Sequence, residues 1–220
     1  MADSNQEVST NHWRIENWFT DLNPEILKQF KIYNDELIKF NKTLSLVSPK
    51  TIPMADALHF ADSILASRVI ARANSRLAEI YDVSLGNGFP GLIFAILNPK
   101  VKVNIIEPDQ RKCEFMKHII AMARVPNANI MNMKADDLKE NSVQYVLTRG
   151  YASISKVILL LRKAVPKGGI VYHLKGEQWG MEVSEIPIQL CSLWTPGLVG
   201  EYRLPVGEMK FSVIKTDKLA

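Results

Sequence analysis

The residues best suited to chemistry lie in one short stretch, Asp82–Gly91, which reads DVSLGNGFPG. Strand-forming residues precede it, and Pro90 suits the first turn of a following helix. A strand, a glycine loop and a helix in this order direct backbone N–H groups and a helix N-terminus towards a ligand. Because Gly86 and Gly88 carry no Cβ, the main chain can approach that ligand closely. The stretch therefore predicts a ligand-binding loop.

Two classes of ligand fit the spacing of this loop. The pattern Gly86-x-Gly88-x-x-Gly91, with Glu107 about 20 residues further on, matches the fingerprint for dinucleotides. The order Asp82-x-Ser-x-Gly-x-Gly matches the loop with which Rossmann-like methyltransferases bind S-adenosylmethionine, except that serine replaces the first glycine. A tight turn without any ligand is a third interpretation. The loop alone leaves all three open.

The elements around the loop favour an α/β fold with a helical segment in front. A helix begins at Asn23-Pro24-Glu25 and keeps its apolar period to Phe40, and a second helical region covers about Met54–Ala73. Strands and helices then alternate, which predicts a parallel sheet with helices on both faces. The predicted parallel strands are Ile80–Val83, Val101–Glu107, Asn129–Met133, Tyr145–Arg149 and Ile170–Lys175, and an antiparallel hairpin of Ile188–Trp194 and Met209–Lys215 closes the sheet.

Composition and charge narrow the class of protein. The chain has 220 residues, 47% of them hydrophobic, and a net charge of +4, which permits an acidic partner such as RNA without requiring one. Its two cysteines are too few for a disulfide framework or a zinc site, so no metal is expected. There is no apolar run of about 18 residues and no signal-peptide pattern, which predicts a cytoplasmic protein that does not enter a membrane. The polar tail Met1–Thr10 is expected to be disordered.

Several segments, taken together, resemble one family. The stretch Asp82–Gly91 is similar to the Asp-Val-Gly-Thr-Gly-x-Gly-Leu/Phe-Pro-Gly loop of the RsmG (GidB) methyltransferases, which methylate N7 of a guanine in 16S ribosomal RNA. The resemblance spans about residues 37–218. The chain departs from the family pattern at Ser84, Leu85, Gln144 and Met209. Further similar segments, in order, are Phe40–Leu46, His59–Ser63, Lys134–Asp137, Thr148–Ala152, His173–Gly176 and Ser212–Lys215.

The resemblance implies a fold and a reaction. The fold is a class I, Rossmann-like S-adenosylmethionine methyltransferase with a seven-stranded, mostly parallel sheet, a C-terminal antiparallel hairpin and an N-terminal helical extension. Residues 1–75 would form the extension and residues 76–220 the S-adenosylmethionine domain. The expected partner is 16S ribosomal RNA or the small ribosomal subunit, and the expected state is a monomer.

Guanine N7 carries a lone pair and no proton, so methylation there needs no general base and depends on orientation. We assign no catalytic residue for this reason. Two alternatives remain at this point: a weak or inactive paralogue that serves as an S-adenosylmethionine- or RNA-binding module, and an NAD-dependent enzyme.

The resemblance also implies site residues. Glu107 would accept hydrogen bonds from the ribose hydroxyls, Asp136 would accept from the adenine amino group or cap a helix, and Arg149 would hold a carboxylate or phosphate or form a surface ion pair. Ser84 adds bulk to the loop, which predicts weaker binding of S-adenosylmethionine than in relatives. The implied S-adenosylmethionine-binding residues are Ser84, Gly86, Gly88, Phe89, Glu107, Ala135, Asp136 and Arg149.

A second group of residues concerns the RNA substrate. His59 and Asp62 would position the base, or would form no more than a pair on a helix surface. Arg111 and Lys112 lie in the first turn of a helix, where the helix dipole disfavours cations, and this mismatch hints at an anion. The expected RNA-binding residues are Arg111, Lys112, Arg149 and Lys175.

Overall fold

The computed structural model describes residues 11–220, so the disorder predicted for Met1–Thr10 lies outside the described residues. Helical segments come first, as the sequence predicts. Within the described residues, no helix combines the length and the apolar character needed to cross a bilayer. The N-terminal segments are α1 (Ile15–Trp18), α2 (Pro24–Leu44), a 3₁₀ helix (Pro49–Met54), a π-helix (Asp56–Ala61) and α3 (Asp62–Ala73).

Helix α2 begins where its cap predicts and ends later than its apolar period. Asn23 Oδ1 accepts a hydrogen bond from Ile26 N at 2.9 Å, with Pro24 in the first turn. The apolar period ends at Phe40, but the helix continues to Leu44. The reason is that the polar Asn41 is buried and its amide bonds both main-chain groups of Val47, at 2.8 and 3.1 Å. The hydrophobic period alone does not predict that a polar residue such as Asn41 is buried.

A seven-stranded sheet follows, in the order β3-β2-β1-β4-β5-β7-β6. The first five strands are parallel, and β6 and β7 form the antiparallel C-terminal hairpin. The strands are β1 (Glu79–Asp82), β2 (Lys102–Ile106), β3 (Ala128–Met131), β4 (Tyr145–Arg149), β5 (Ile170–Gly176), β6 (Trp194–Arg203) and β7 (Lys210–Lys218). The other helices are α4 (Gly91–Leu97), α5 (Gln110–Ala123), α6 (Ile154–Leu161), α7 (Trp179–Ser184) and α8 (Ile188–Cys191), with a 3₁₀ turn at Ala135–Asp137.

The prediction of a strand at Ile188–Trp194 is wrong. Most of this segment is the short helix α8, and the hairpin partner is β6, which runs through Pro196, Gly197 and Gly200. These residues resemble a turn in sequence. They are tolerated here because β6 lies at the edge of the sheet, where the backbone N–H that proline lacks is not needed for pairing. The pairing register also shifts between Leu198 and Gly200.

The N-terminal helices share a core with the α/β part. Phe30 and Phe60 belong to the same buried cluster as Ile80 of β1, Ile93 of α4 and Phe115 of α5. The opposite face of the sheet is covered by a second cluster to which α6 and α7 contribute. The boundary proposed near residue 75 therefore separates two segments of sequence that pack on one core.

Candidate functional site

The glycine loop leaves the carboxyl end of β1 and needs glycine at two positions. Gly86 and Gly88 have φ angles of +68° and +89°, a region that side chains disfavour. A Cβ at Gly86 would lie 1.4 Å from Glu107 Oε2, and one at Gly88 would lie 2.4 Å from Tyr33 Oη. The loop therefore packs against a carboxylate on one side and against α2 on the other.

Asp82 fixes this loop to the start of α4. Its buried carboxylate accepts hydrogen bonds from Gly91 N at 2.7 Å and from Ser84 Oγ. Burial raises the pKa of Asp82 to about 6, although both hydrogen bonds and the charge of Arg149 act in the opposite direction. A Cβ on Gly91 would lie 2.4 Å from Asp82 Oδ2, so this glycine permits the close packing that the sequence predicts.

Ser84 corrects one expectation. Its hydroxyl donates to Asp82 and accepts from Arg149 N at 3.0 Å, and the residue is 8% exposed. The side chain thus joins the ends of β1 and β4 within the protein. The Ser84 side chain points into the protein and not towards a ligand, so its added bulk supplies no reason for weaker ligand binding.

Glu107, which the sequence predicts to bind ribose, lies at the carboxyl end of β2 beside the glycine loop. It directly follows β2 and is 5% exposed. Its Oε1 accepts from Asp109 N at 2.6 Å, and its Oε2 faces the α-carbon of Gly86. β1 lies between β2 and β4, so the chain order reverses here, and open α/β sheets bind ligands at such a point.

Arg149 is held by residues of the N-terminal helices. Its Nε lies 2.8 Å from Asp62 Oδ2, and its Nη2 donates to Leu58 O at 2.6 Å and lies 3.3 Å from His59 Nδ1. The interpretation of His59 and Asp62 as a surface pair is therefore wrong, as is that of Arg149 as a surface ion pair. The structure brings all three together at the carboxyl end of β4.

The hydrogen bonds of His59 fix its tautomer. Thr51 Oγ1 donates to Ser48 O at 2.8 Å, so it accepts from His59 Nε2–H at 3.0 Å. Nδ1 then presents its lone pair to Arg149. Burial and the charge of Arg149 lower the pKa of His59 to about 3, so the imidazole is neutral and is a weak base.

A cavity of about 120 Å³ lies between these groups. Phe89 forms part of its wall and is itself buried, with its ring stacked between Tyr33 and His59 at centroid distances of 4.8 and 5.4 Å. Leu85 is 52% exposed at the rim. The lining residues are His59, Leu85, Asn87, Phe89, Arg149 and Gly150.

Ala135 and Asp136 lie apart from this cavity. They occupy the 3₁₀ turn after β3 and line a different cavity, of about 190 Å³, which the end of α6 also borders. Asp136 is exposed and is not a helix cap, because the residue at the N-cap position is Lys134.

The predicted RNA-binding residues divide into two groups. Arg111 is exposed, with Nε 3.9 Å from Asp109 Oδ1. Lys112 donates to Leu85 O at 3.2 Å and so supports the glycine loop. Lys175, whose side chain is 13% exposed, donates to Ala152 O at 2.8 Å and to Glu182 Oε2 at 2.7 Å. The structure therefore favours structural roles for both lysines.

Residues that the sequence did not single out complete the arrangement. Tyr33 Oη donates to Asn87 O at 2.6 Å, and Asn87 Nδ2 donates to Leu46 O at 3.1 Å. Tyr202 Oη donates to Asp62 Oδ1 at 2.6 Å, and burial raises the pKa of Tyr202 well above its usual value. These contacts join residues 41 to 140 positions apart, and no local pattern signals them.

Comparison with known proteins identifies the family. Residues 26–193 match the family described as GidB, rRNA small subunit methyltransferase G. A relative from Bdellovibrio bacteriovorus, ribosomal RNA small subunit methyltransferase G 3, is 54% identical over 209 residues, which cover 95% of each chain. The chain belongs to this family.

A more distant member agrees with the assignment, and a solved structure shares the fold. Ribosomal RNA small subunit methyltransferase G of Paracoccus denitrificans is 26% identical over 153 residues, which cover 70% of this chain and 78% of the relative. A solved SAM-dependent methyltransferase from Aquifex aeolicus shares the fold, with a TM-score of 0.55 at 12% identity, covering 77% of this chain and 98% of that one.

Membership confirms the resemblance found in the sequence, the methyltransferase fold and S-adenosylmethionine as the cofactor. The dinucleotide interpretation of the same glycines is set aside.

Proposed function

We propose that this chain transfers the methyl group of S-adenosylmethionine to N7 of a guanine in 16S ribosomal RNA. The observation that carries the proposal is the contact of the Glu107 carboxylate with Gly86 at the switch point of the sheet, in a chain of this family. The contact places an acceptor for ribose hydroxyls beside a loop that must lack side chains.

The residues at this edge fit the donor. S-adenosylmethionine carries a ribose diol, an amino-acid carboxylate and an adenine, and when bound it supplies a methyl group made electrophilic by a sulfonium. Glu107 would accept from the diol. Arg149, whose orientation is fixed by Asp62 and Leu58, would hold the carboxylate. Ala135 and Asp136, which lie beside a separate cavity in the turn after the neighbouring strand β3, would contact the adenine, as the family resemblance implies.

The titratable groups beside the cavity agree with a reaction that needs no general base. His59 is neutral, with a pKa of about 3, and its Nδ1 faces Arg149. Asp82 is buried under the loop and accepts from Gly91 and Ser84. What the chain contributes is orientation of the two reactants and a wall of apolar side chains, Phe89 and Leu85, that limits water.

An inactive binding module is the second candidate, and the positions of three of the four family departures favour the enzyme. Ser84 acts within the fold, and Leu85 lies at the rim of the cavity. Gln144 donates to Gly168 O at 2.8 Å, at the foot of β4. None of these removes a contact of Arg149 or Glu107.

Two measurements test the proposal. Calorimetry with S-adenosylmethionine and with its demethylated product, S-adenosylhomocysteine, should show binding of both. Tritium from the methyl-labelled donor should enter 16S ribosomal RNA in small subunits that lack the modification. Binding without transfer would favour the module, and binding of NAD in place of S-adenosylmethionine would contradict both candidates. A monomeric state and a cytoplasmic location remain proposals from the sequence, and sedimentation of the purified chain tests the first.

A further inference from the structure

A groove of about 680 Å³ opens beside the site, and of its lining only Glu182, the partner of Lys175, takes part in the contacts described above. It lies between the carboxyl end of β5, helix α7 and the start of β7. Its volume falls within the range typical of small-ligand sites, roughly 300–1,000 Å³. The lining residues that matter here are Glu177, Trp179, Glu182, Glu208, Lys210 and Phe211.

The groove is on the same sheet edge as the glycine loop. β5 is the neighbour of β4, with Arg149 opposite Leu174, and β7 is the next strand, with Gly176 opposite Phe211. Parallel strands end at one edge, so the groove begins within two strands of Arg149.

Two chains of contacts connect the groove to Arg149. Glu182 lines the groove and accepts from Ile154 N at 2.9 Å, which holds the segment that follows Arg149. Phe211 stacks on Tyr202 with ring centroids 6.0 Å apart, and Tyr202 bonds Asp62, the partner of Arg149. The groove is therefore connected to the site through hydrogen-bonded and stacked side chains.

The lining suits a purine base. Trp179, and the face of Phe211 that does not stack on Tyr202, are the aromatic surfaces of the lining on which an unstacked base can stack. Lys210 is paired with Glu201 at 2.8 Å, whereas Glu177 and Glu208 are exposed carboxylates. A carboxylate accepts from the N1–H and N2–H₂ donors of guanine, and adenine does not present this pair of donors. When a carboxylate binds the Watson–Crick edge of guanine, N7 lies on the opposite side of the base.

We propose that this groove receives the guanine to be methylated, stacked by Trp179 and Phe211, with Glu177 or Glu208 accepting from its Watson–Crick edge. The proposal rests on the proposed function and names the determinant of base specificity for that reaction. Trp179, Phe211 and the accepting carboxylate are then substrate-binding residues.

Base substitution in the substrate tests the carboxylate. Small subunits are reconstituted with inosine at the modified position, which keeps N7 and removes the N2 amino group. For the unaltered enzyme, kcat/KM should fall about tenfold on inosine, the effect of one lost hydrogen bond to a charged acceptor. Glu177→Gln or Glu208→Gln should lower kcat/KM on guanine and reduce the preference for guanine over inosine, because the remaining amide oxygen is an uncharged and weaker acceptor. Glu185→Gln, just outside the groove at the end of α7, is the matched control and should keep the preference.

Substitution of the aromatic residue tests the stacking. Trp179→Ala should raise the KM for small subunits about tenfold, whereas Trp179→Phe should keep the KM close to that of the unaltered enzyme. The Kd of S-adenosylhomocysteine should be unchanged in both variants, which also reports an intact fold. If guanine and inosine are methylated equally well and neither the Gln nor the Ala variants change KM, the groove assignment is overturned while the methyltransferase activity stands. An enzyme inactive on both substrates would overturn the proposed function as well.

Discussion

At the scale of single residues, the site depends on where side chains point, and Ser84 shows this most clearly. Its hydroxyl bridges the Asp82 carboxylate and Arg149 N, two groups that are otherwise enclosed at the ends of neighbouring strands. The sequence identifies Ser84 as a departure from the family pattern, but its orientation depends on a strand 65 residues away. A departure from a motif can therefore stabilise the loop that the motif comparison predicts it to weaken.

Removal of this hydroxyl should lower stability. Ser84→Ala leaves Arg149 N without its acceptor and takes one donor from Asp82, which costs about 1–3 kcal/mol in the free energy of unfolding. Urea denaturation measures this cost. Ser142→Ala is the control, because that hydroxyl is exposed and bonds only Lys139 O in the adjacent turn. If Ser84→Gly instead binds S-adenosylmethionine more tightly at unchanged stability, the steric interpretation from sequence is right and the bridging role is not.

Asp82 should make stability depend on pH. Its pKa is about 6 in the folded chain and near 3.8 when unfolded, so the folded state binds more protons between these values. The free energy of unfolding should therefore fall as the pH rises through this window and level off above it. Asp82→Asn should remove that contribution, visible as the difference between the two urea-denaturation profiles from pH 4 to 7. Parallel profiles would show that Asp82 has an ordinary pKa.

At the scale of elements, the N-terminal helices complete the site. Tyr33 of α2, His59 of the π-helix and Asp62 of α3 all reach the loop or Arg149. The sequence predicts the five parallel strands well because each contains at least two adjacent apolar residues. It misplaces β6, since an edge strand tolerates Pro196 and Gly197. It also gives no sign that helical residues such as His59, 90 positions upstream, contact Arg149.

The contact between Asp62 and Arg149 should control cofactor affinity. Asp62→Asn keeps the shape of the side chain but removes the charge that orients the guanidinium, so S-adenosylhomocysteine should bind about tenfold more weakly. The variant should also lose about 3 kcal/mol of stability, because a buried charge loses its partner. Calorimetry and urea denaturation measure the two effects.

Asp21→Asn provides the control for this pair. Asp21 also bonds an arginine, Arg68, at 2.7 Å, but its side chain is 67% exposed, so less than about 1 kcal/mol is expected. Equal behaviour of Asp21→Asn and Asp62→Asn would contradict the role assigned to Asp62.

At the scale of the whole molecule, the net charge of +4 suits an RNA partner. A count of cations in the sequence, however, overestimates how many of them are free to contact RNA. Lys112 and Lys175 bond the main chain of the protein, and Arg149 faces the cavity. The location of the site at the carboxyl edge was predictable from the alternation of strands and helices. The contacts that these cations make within the protein were not predictable, because their partners are distant in sequence.

Arg111 and Lys112 should therefore differ in their response to salt. If Arg111 contacts phosphate, Arg111→Ala should reduce the slope of log kcat/KM against log salt concentration by about 1. Lys112→Ala should leave most of the slope and instead weaken the binding of S-adenosylhomocysteine, because it frees the carbonyl of Leu85. Steady-state transfer to small subunits at several salt concentrations measures the slope. An unaltered slope in Arg111→Ala removes this residue from the RNA-binding surface.

The most direct measurement of the central claim, that the glycine loop and Glu107 bind S-adenosylmethionine, is the Kd of S-adenosylhomocysteine for Gly86→Ala and Gly168→Ala. Both glycines have positive φ, +68° and +78°, so both substitutions carry the same backbone cost, roughly 1–2 kcal/mol. A Cβ at Gly168 meets nothing within 4 Å, whereas one at Gly86 overlaps the Glu107 carboxylate. We predict that Gly168→Ala binds like the unaltered chain and that Gly86→Ala loses at least about tenfold in affinity, roughly 1.4 kcal/mol. Equal affinity in the two variants would contradict the account.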